Sequence, residues 1–309
     1  MRTTPLQKLG TIEGNQLYIK REDLIPFCFG GNKARKAELF FQIIDAGSYD
    51  CVVTYGSSSS NHCRVIANMC ASRGISCHVI APAEAFGVSY NQQMMKLYNA
   101  EISVVHVSEV HDQIENTIAA LKQQGKTPYF IPGGGHGITG TQAYVNCYDE
   151  IADYGKTNGT TFDLIFLASG TGTTQAGLIC GKLLHHDSCD IIGISIARKN
   201  PRGRDIVLES VREYMGHRAT LSEIQDSTVF VDEYVTNGYG QTDSAIQETI
   251  LKVLLTYGIP LDETYTGKAF HGMTEYLKNN QIRGKNVLFI HTGGTPLFFD
   301  ALRKWDDGK

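Results

Sequence analysis

The stretch Phe29-Gly30-Gly31-Asn32-Lys33-Ala34-Arg35-Lys36 sets two glycines before a predicted helix that continues through residues 34–46. Glycines allow the backbone to turn and to lie close to a flat ligand. A lysine amine at the start of such a helix can form a Schiff base with a carbonyl cofactor. Alternatively, Lys33 belongs to a basic first turn and meets only solvent, because Gly-Gly before a basic helix is a weak signal on its own.

Short apolar strands alternate with helical segments along the rest of the chain. Residues 51–55 end in Gly56 and a run of serines, and residues 163–168 end in a stretch rich in glycine and threonine. This alternation predicts an α/β fold. A strand that opens into a small polar loop before a helix is a common ligand site in such folds, although each loop alone could be a solvated turn. The polar, glycine-bearing residues 155–159 predict a domain boundary.

Composition excludes several classes of protein. The 309 residues carry 28 Lys and Arg against 32 Asp and Glu, a net charge of −4, and the basic residues form no stripe, so no nucleic-acid partner is expected. Residues 1–5 lack the apolar core of a signal peptide. No run approaches the roughly 18 apolar residues of a membrane span, so no membrane partner is expected. We therefore expect a cytoplasmic enzyme.

The eight cysteines form no Cys-x-x-Cys pair, and no histidines cluster at the spacing of zinc ligands. Most of the cysteines lie inside apolar segments. They are predicted to be reduced core thiols, and no metal is expected.

A second stretch predicted to hold a ligand lies at the N-terminus of a helix that begins with small residues. It is Ser169-Gly170-Thr171-Gly172-Thr173-Thr174-Gln175-Ala176-Gly177. Backbone N–H groups and hydroxyls at a helix N-terminus suit a dianionic phosphate. A plain strand-to-helix turn is the alternative. A dinucleotide fingerprint fails because Gln175 stands where its last glycine belongs, and no lysine is present for a P-loop.

Six motifs lie in the order found in the 1-aminocyclopropane-1-carboxylate deaminase and D-cysteine desulfhydrase family, and the chain resembles that family over nearly its whole length. They are Gly30-Gly31-Asn32-Lys33-x-Arg35-Lys36, Ser60-Asn61-His62, residues 169–177, Tyr239-Gly240, Tyr265-x-Gly267-Lys268 and His291-x-Gly293-Gly294. The resemblance implies a pyridoxal 5'-phosphate enzyme of the tryptophan-synthase-β fold type. Two open, twisted, mostly parallel sheets flanked by helices would hold the cofactor in the cleft between a small domain, 45–155, and a large one, 1–44 and 156–309. A homodimer acting on a small amino acid is implied as well.

The resemblance also implies roles for individual residues. Lys33 would carry the cofactor and take the Cα proton, Ser60 would help to move that proton, and Asn61 would meet the hydroxyl of the cofactor ring. Tyr239 and Tyr265 would be the active-site tyrosines. The phosphate would be held by Ser169, Gly170, Thr171, Gly172, Thr173 and Thr174. The substrate carboxylate would be held by Ser58, Ser59, Ser60 and His62, although many relatives have Gly-Gly-x-Gln where this chain has Gly56-Ser57-Ser58-Ser59.

Thr266 and Thr292 stand where the family's deaminases have glutamate and leucine. A carboxylate near the pyridine nitrogen would keep it protonated and make the ring a strong electron sink, whereas a hydroxyl would leave it neutral. The weaker sink suits a substrate with a good leaving group on Cβ. D-cysteine desulfhydrase activity is thus expected. Lyases of cysteate or another β-substituted alanine, 1-aminocyclopropane-1-carboxylate deaminase, a racemase, a β-replacement enzyme and an inactive regulatory protein remain alternatives.

Overall fold

The computed structural model describes residues 3–236 and 238–307, which form ten strands and eleven helices. The strands are β1 (Leu6–Ile12), β2 (Asn15–Arg21), β3 (Cys51–Tyr55), β4 (Ser76–Pro82), β5 (Glu101–Val105), β6 (Pro128–Ile131), β7 (Leu164–Ser169), β8 (Asp190–Ser195), β9 (Val229–Val231) and β10 (Asn286–His291). The helices are α1 (Asn32–Ala46), α2 (Asn61–Ala71), α3 (Tyr90–Leu97), α4 (Val110–Gln123), α5 (Ile138–Asn158), α6 (Thr173–His185), α7 (Arg202–Met215), α8 (Leu221–Asp226), α9 (Ser244–Tyr257), α10 (Thr266–Asn279) and α11 (Thr295–Asp307).

The strands form two sheets. The larger sheet has the order β1-β2-β10-β7-β8-β9 and is parallel except for β1, which pairs antiparallel with β2. The smaller sheet has the order β5-β4-β3-β6 and is parallel throughout. The predicted α/β class with two mostly parallel sheets is confirmed.

Helices cover both faces of the large sheet, as parallel sheets require. One face packs against buried side chains of α5, α6 and α7, and the other packs against α9 and α10. The small sheet is covered by α1 and α2 on one side and by α4 on the other. Thus α1 shares its core with the small sheet and α5 shares its core with the large one. The division at residues 44–45 and 155–156 stays a prediction, and residues 1, 2, 237, 308 and 309 of its large part lie outside the described residues.

Three elements were not predicted from the sequence: β1, α8 and α11. Strand β1 is an edge strand with mostly half-exposed side chains, so its apolar alternation is weak. Helix α5 runs through Gly155 to Asn158, so most of the stretch predicted as a domain boundary is helical. A Cβ on Gly155 would lie 2.7 Å from the carbonyl oxygen of Thr160, so this glycine lets the chain fold back against the helix.

The turn before α1 requires both of its glycines. Gly30 and Gly31 have φ angles of 60° and 94°, and a Cβ on either would lie within 3 Å of a backbone oxygen, that of Asp23 or of Thr292. The N–H of Asn32 donates to the carbonyl of Thr292 at 2.9 Å. This contact presses the start of α1 against the loop after β10.

Other sequence predictions concern thiols, metals and membranes. All eight cysteines are free thiols, and seven of them are buried. Within residues 3–236 and 238–307, no three His, Cys, Asp or Glu side chains are grouped as metal ligands. None of the helices in that part of the chain is long and apolar enough to cross a membrane.

Candidate active site

A cavity of about 480 Å³ lies where the carboxyl ends of the two sheets meet. Carboxyl ends of parallel strands are the usual ligand edge of such sheets. The predicted site residues that line the cavity are Lys33, Ser60, Asn61, His62, Ser169, Gly170, Thr171, Gly172, Thr174, Tyr239, Tyr265 and Thr292. Four predicted residues do not line it: Ser58, Ser59, Thr173 and Thr266.

Lys33 is the second residue of α1, and its Nζ donates to the carbonyl oxygen of Gly134 at 3.0 Å. Removal of the amine from bulk water lowers the pKa of Lys33 to about 8. An amine with this pKa is unprotonated in about a tenth of molecules at pH 7, far more than an ordinary lysine. Lys33 is therefore suited to attack a carbonyl and to accept a proton.

Lys36, one turn further along α1, was not predicted as a site residue. It is buried, and its Nζ lies 3.4 Å from the same Gly134 carbonyl. Burial, and then the charge of Lys33, lower the pKa of Lys36 well below its usual value. The i, i+3 spacing of the two lysines in a helical run was the signal that could have identified it.

Arg35 fixes α1 to the large sheet from the opposite side of the helix. Its guanidinium donates to Glu22, which follows β2, and to Glu150 on α5, with Nη2–Oε1 and Nη1–Oε1 distances of 2.8 Å and 2.7 Å. Lys20 on β2 pairs with Glu150 as well. Arg35, Glu22 and Lys20 are each at most 1% exposed, so this buried network holds the register of Lys33.

The serines of residues 57–60 have two different structural roles. Ser60 is the N-cap of α2, where its Oγ accepts from the N–H of Cys63 at 3.2 Å, and it lines the cavity together with Ser57. The hydroxyl of Ser58 instead accepts from the N–H of Gly87 at 2.8 Å. Ser59 has its hydroxyl 3.2 Å from that of Ser57. Ser58 therefore anchors a neighbouring loop, and Ser57 is a cavity residue that was not predicted.

His62 is buried and neutral. Its Nε2 lies 2.9 Å from the hydroxyl of Thr54, which itself donates to the carbonyl of Ile131, so Nε2 carries the proton. Burial, and then the charges of Lys33 and Lys36, hold the pKa of His62 well below its usual range. His62 can therefore offer Nδ1 as an acceptor but is unsuited to hold a substrate carboxylate as a cation.

The loop after β7 forms the other wall. Gly172 is left-handed, with φ of 82°, and caps α6, so the first N–H groups of that helix are available to an anion. The Ser169 hydroxyl donates to Gln175 Oε1 at 2.9 Å, and Thr174 Oγ1 accepts from Asn32 at 3.0 Å. Thr173 lies outside the lining because its hydroxyl is 2.8 Å from Nδ1 of His136.

Basic side chains converge near this loop. Burial and the charges of Lys36, Arg198 and Lys33 lower the pKa of His136, whereas Glu213 raises it. Arg198, on the loop after β8, lines the cavity and donates to the carbonyl of Gly170. Arg198 was not predicted either. A helix N-terminus surrounded by these groups suits a dianion.

Tyr239 and Tyr265 meet across the cavity, with their hydroxyl oxygens 2.6 Å apart and their rings packed edge to face. Loss of hydration raises the pKa of Tyr239. Burial, the neighbouring Tyr239 hydroxyl and the carboxylate of Asp262 raise the pKa of Tyr265 well above its usual value. Both hydroxyls are therefore protonated at neutral pH and can donate.

The two threonines of the predicted pair occupy different environments. Thr292 lines the cavity. Thr266 is fully buried: its hydroxyl donates to Asp262 Oδ2 at 2.8 Å and accepts from the N–H of Asp262 at 2.9 Å. Asp262 also accepts from the N–H groups of residues 264–266 and so caps α10. Thr266 is thus part of a helix cap, which no single-residue pattern signals.

Similarity to known proteins identifies the family of this chain. The family model for pyridoxal-phosphate dependent enzymes matches residues 1–293. The chain is 33% identical over 309 residues to the D-cysteine desulfhydrase of Yersinia enterocolitica, covering 96% of this chain and 92% of the relative. The chain belongs to the 1-aminocyclopropane-1-carboxylate deaminase and D-cysteine desulfhydrase family of pyridoxal-phosphate dependent enzymes. The predicted family and cofactor are confirmed.

Solved structures agree in fold. The crystal structure of an ACC deaminase homologue superposes with a TM-score of 0.86 at 30% identity, over 98% of this chain and 93% of the other. The crystal structure of a threonine deaminase from T.th. superposes with a TM-score of 0.67 at 17% identity, over 95% and 92% of the two chains, a likeness of fold alone.

The residues of the cavity fit the cofactor that the family requires. A reactive lysine amine lies at one wall, and a glycine-rich helix N-terminus with the Arg198 guanidinium beside it lies at another. A Cβ on Gly134 would come within 3.2 Å of Lys33 Nζ, so this glycine leaves space beside the amine. Lys33 would hold the cofactor covalently, residues 169–172 and Thr174 would hold its phosphate, and Asn61 and Thr292 would contact its ring.

Proposed function

We propose that this protein catalyses β-elimination on D-cysteine and releases sulfide, ammonia and pyruvate. The observation that carries the proposal is the lining of the cavity, in which the described residues include hydroxyls but no carboxylate. A pyridoxal-phosphate cofactor supplies an electron sink for the Cα carbanion. A lining of hydroxyls leaves that sink weaker than a carboxylate would, so a substrate with a good leaving group on Cβ is favoured.

The bonds that change are Cα–H and Cβ–S. Lys33 Nζ takes the Cα proton, and the thiolate leaves with the electron pair of the Cβ–S bond. The aminoacrylate that remains is hydrolysed to pyruvate and ammonia. Ser60, on the cavity wall beside Asn61, helps to move the proton, and the paired hydroxyls of Tyr239 and Tyr265 protonate the departing sulfur.

The substrate carboxylate would meet the N-terminus of α2. Ser57 and Ser60 line the cavity there and offer hydroxyl donors, and the first N–H groups of α2 add backbone donors. Ser58 and Ser59 would then act by shaping the loop, because the hydroxyl of each is engaged with a neighbouring group.

Cysteate is a second candidate substrate, and Arg198 favours it. This arginine lines the cavity and has no carboxylate partner among residues 3–236 and 238–307. Its cation could accept the sulfonate of cysteate, which would leave as sulfite after the same proton abstraction.

The discriminating experiment measures pyruvate release by the purified holoenzyme from D-cysteine, L-cysteine, cysteate, β-chloroalanine and D-serine, with sulfide followed in parallel. It also measures 2-oxobutyrate release from 1-aminocyclopropane-1-carboxylate. The proposal expects sulfide and pyruvate from D-cysteine and no ring opening of 1-aminocyclopropane-1-carboxylate. Ring opening without sulfide release would refute it, and release from cysteate alone would favour the second candidate. No turnover of any substrate by cofactor-loaded protein would indicate an inactive regulatory protein.

Subunit number and compartment are part of the same proposal. The family resemblance supports a cytoplasmic homodimer, and light scattering of the purified holoenzyme would test the dimer.

A further inference from the structure

Arg64 is a fully buried arginine one turn beyond Asn61 on α2. Its Nη1 donates to Oδ1 of Asn61 at 2.7 Å and to Oδ1 of Asn91 at 2.9 Å. In the part of the chain that the structure describes, its Nε has no hydrogen-bond partner and no carboxylate pairs with the guanidinium. A buried guanidinium keeps its charge, so a positive charge is held here by neutral groups: the two amides and the ring of Phe29, whose centroid lies 5.9 Å from Cζ.

Asn91 forms hydrogen bonds with both Arg64 and Asn61. Its Nδ2 donates to Oδ1 of Asn61 at 3.0 Å and to the carbonyl of Ser59 at 2.7 Å. Oδ1 of Asn61 therefore accepts two hydrogen bonds, one from a charged donor. The orientation of the Asn61 amide follows, because exchanging its O and N atoms would set two donors against each other.

The side-chain N–H groups of Asn61 remain available as donors toward the cavity. Its Nδ2 has no partner among residues 3–236 and 238–307, while the residue itself lines the cavity. A charge-assisted hydrogen bond at Oδ1 polarises the amide and strengthens donation from Nδ2. An oxygen anion at this wall would meet an oriented donor with a full positive charge behind it.

We propose that Arg64 and Asn91 are positioning residues that orient Asn61 and transmit positive charge through it to the ring oxygen of the cofactor. This inference rests on the assignment of Asn61 to that oxygen and not on the choice of substrate. Arg64 itself does not line the cavity and so does not touch the cofactor. Its effect reaches the cofactor through one amide.

Cys28 and Tyr98 are the titratable groups near Arg64, and both are uncharged. Cys28 lies with its Sγ 3.6 Å from the carbonyl of Arg64 and 4.0 Å from the hydroxyl of Tyr98, and burial raises the pKa of both the thiol and the phenol. Neither supplies an anion at neutral pH. The charge of Arg64 is therefore uncompensated on this side as well.

The test uses the substrate-free holoenzyme, read by its absorbance spectrum and by its dissociation constant for pyridoxal phosphate. Arg64→Met removes the charge and the donor. Asn91→Asp keeps the shape but places a carboxylate beside Arg64. Both variants should shift absorbance away from the visible band, in which the ring oxygen is anionic, and weaken cofactor binding about 10- to 100-fold, as expected for a hydrogen bond to a charged group.

Arg73→Met is the matched control, because Arg73 follows the same helix but pairs with Asp45 at the surface, with an Nε–Oδ1 distance of 2.7 Å. It should leave the spectrum and the affinity unchanged. The decisive comparison is made in an Asn61→Ala background, where Arg64→Met should have no further effect on either readout.

Wild-type spectrum and affinity in a folded Arg64→Met protein would overturn the proposal. So would a full Arg64→Met effect in the Asn61→Ala background, because Arg64 would then act by another route. Should Arg64→Met fail to fold, Asn91→Asp decides by the same two readouts. Absence of D-cysteine turnover by the wild type would refute the proposed substrate and leave this result intact.

Discussion

The hydroxyl oxygens of Tyr239 and Tyr265 lie 2.6 Å apart in the cavity. Tyr239 comes from the loop before α9 and Tyr265 is the N-cap of α10, so the pair joins two separate segments of the large sheet's helical layer. At such a separation one hydroxyl must donate to the other, which leaves one proton directed away from the pair. The pair can therefore deliver a proton while keeping its internal hydrogen bond.

Removal of either hydroxyl should therefore impair proton delivery. Tyr265→Phe should lower kcat for elimination about 10²- to 10⁴-fold, the usual contribution of a positioned acid, because the phenyl ring keeps its packing. Cofactor content should stay at the wild-type level, because neither tyrosine belongs to the phosphate loop. Steady-state pyruvate release and the absorbance spectrum would check both points. An unchanged kcat in Tyr239→Phe and Tyr265→Phe would show that the sulfur leaves unprotonated.

The pKa of Lys33 predicts how cofactor uptake depends on pH. Only the unprotonated amine attacks a carbonyl, and burial lowers this pKa to about 8. The rate of cofactor uptake by cofactor-free protein should rise about tenfold per pH unit below 8 and level off above it. The visible band at roughly 410–430 nm would report uptake. Lys33→Ala should give no band, and a rate that still climbs toward pH 10 would contradict the prediction.

The contrast between Thr266 and Thr292 predicts two different phenotypes. Thr266→Glu places a second carboxylate beside Asp262 in a fully buried cap, so it should destabilise the fold by about 3–5 kcal/mol. Thr292→Val keeps the shape of a cavity residue and should lower stability by no more than about 1 kcal/mol. Urea unfolding would measure both. Equal losses would mean that the Thr266 cap contributes nothing special.

The lowered pKa of Glu22 predicts that the folded protein loses stability in acid. Burial raises the pKa of this carboxyl, but Arg35 and Lys20 outweigh it, and the net pKa lies below the usual 4.5. A depressed folded pKa gives stability that is complete above about pH 4.5 and is lost as pH falls through the folded value. Glu22→Gln should cost about 3–5 kcal/mol at pH 7, and the difference from wild type should shrink toward pH 3. A difference independent of pH would contradict the ion pair.

Local patterns predicted strands that carry strong periodicity, including β3 to the residue. The site residues brought together at the cavity were predicted because the ends of parallel strands share one edge. Residues whose role depends on the hydrogen-bond partners of their side chains were not predicted. Ser58 and Ser57 differ by one residue in a uniform serine run, yet only Ser57 lines the cavity, because Gly87 takes the hydroxyl of Ser58.

Lys36 and Arg198 were missed for a related reason. Each takes its place from contacts across the fold: Lys36 from the Gly134 carbonyl and Arg198 from that of Gly170. These contacts join residues that are about 30 to 100 positions apart in the sequence. A pattern read within one segment cannot contain them.

The pairing of β2 with β10 also sets the order in which a growing chain can complete its active site. Residues 15–21 leave the ribosome well before residues 286–291, which form the strand beside them. Until that last strand is made, β2 has one open edge, and the loop against which Gly31 and Asn32 pack does not exist. Lys33 is therefore synthesised long before its backbone is held, so a nascent chain stalled before residue 286 would be unable to retain the cofactor.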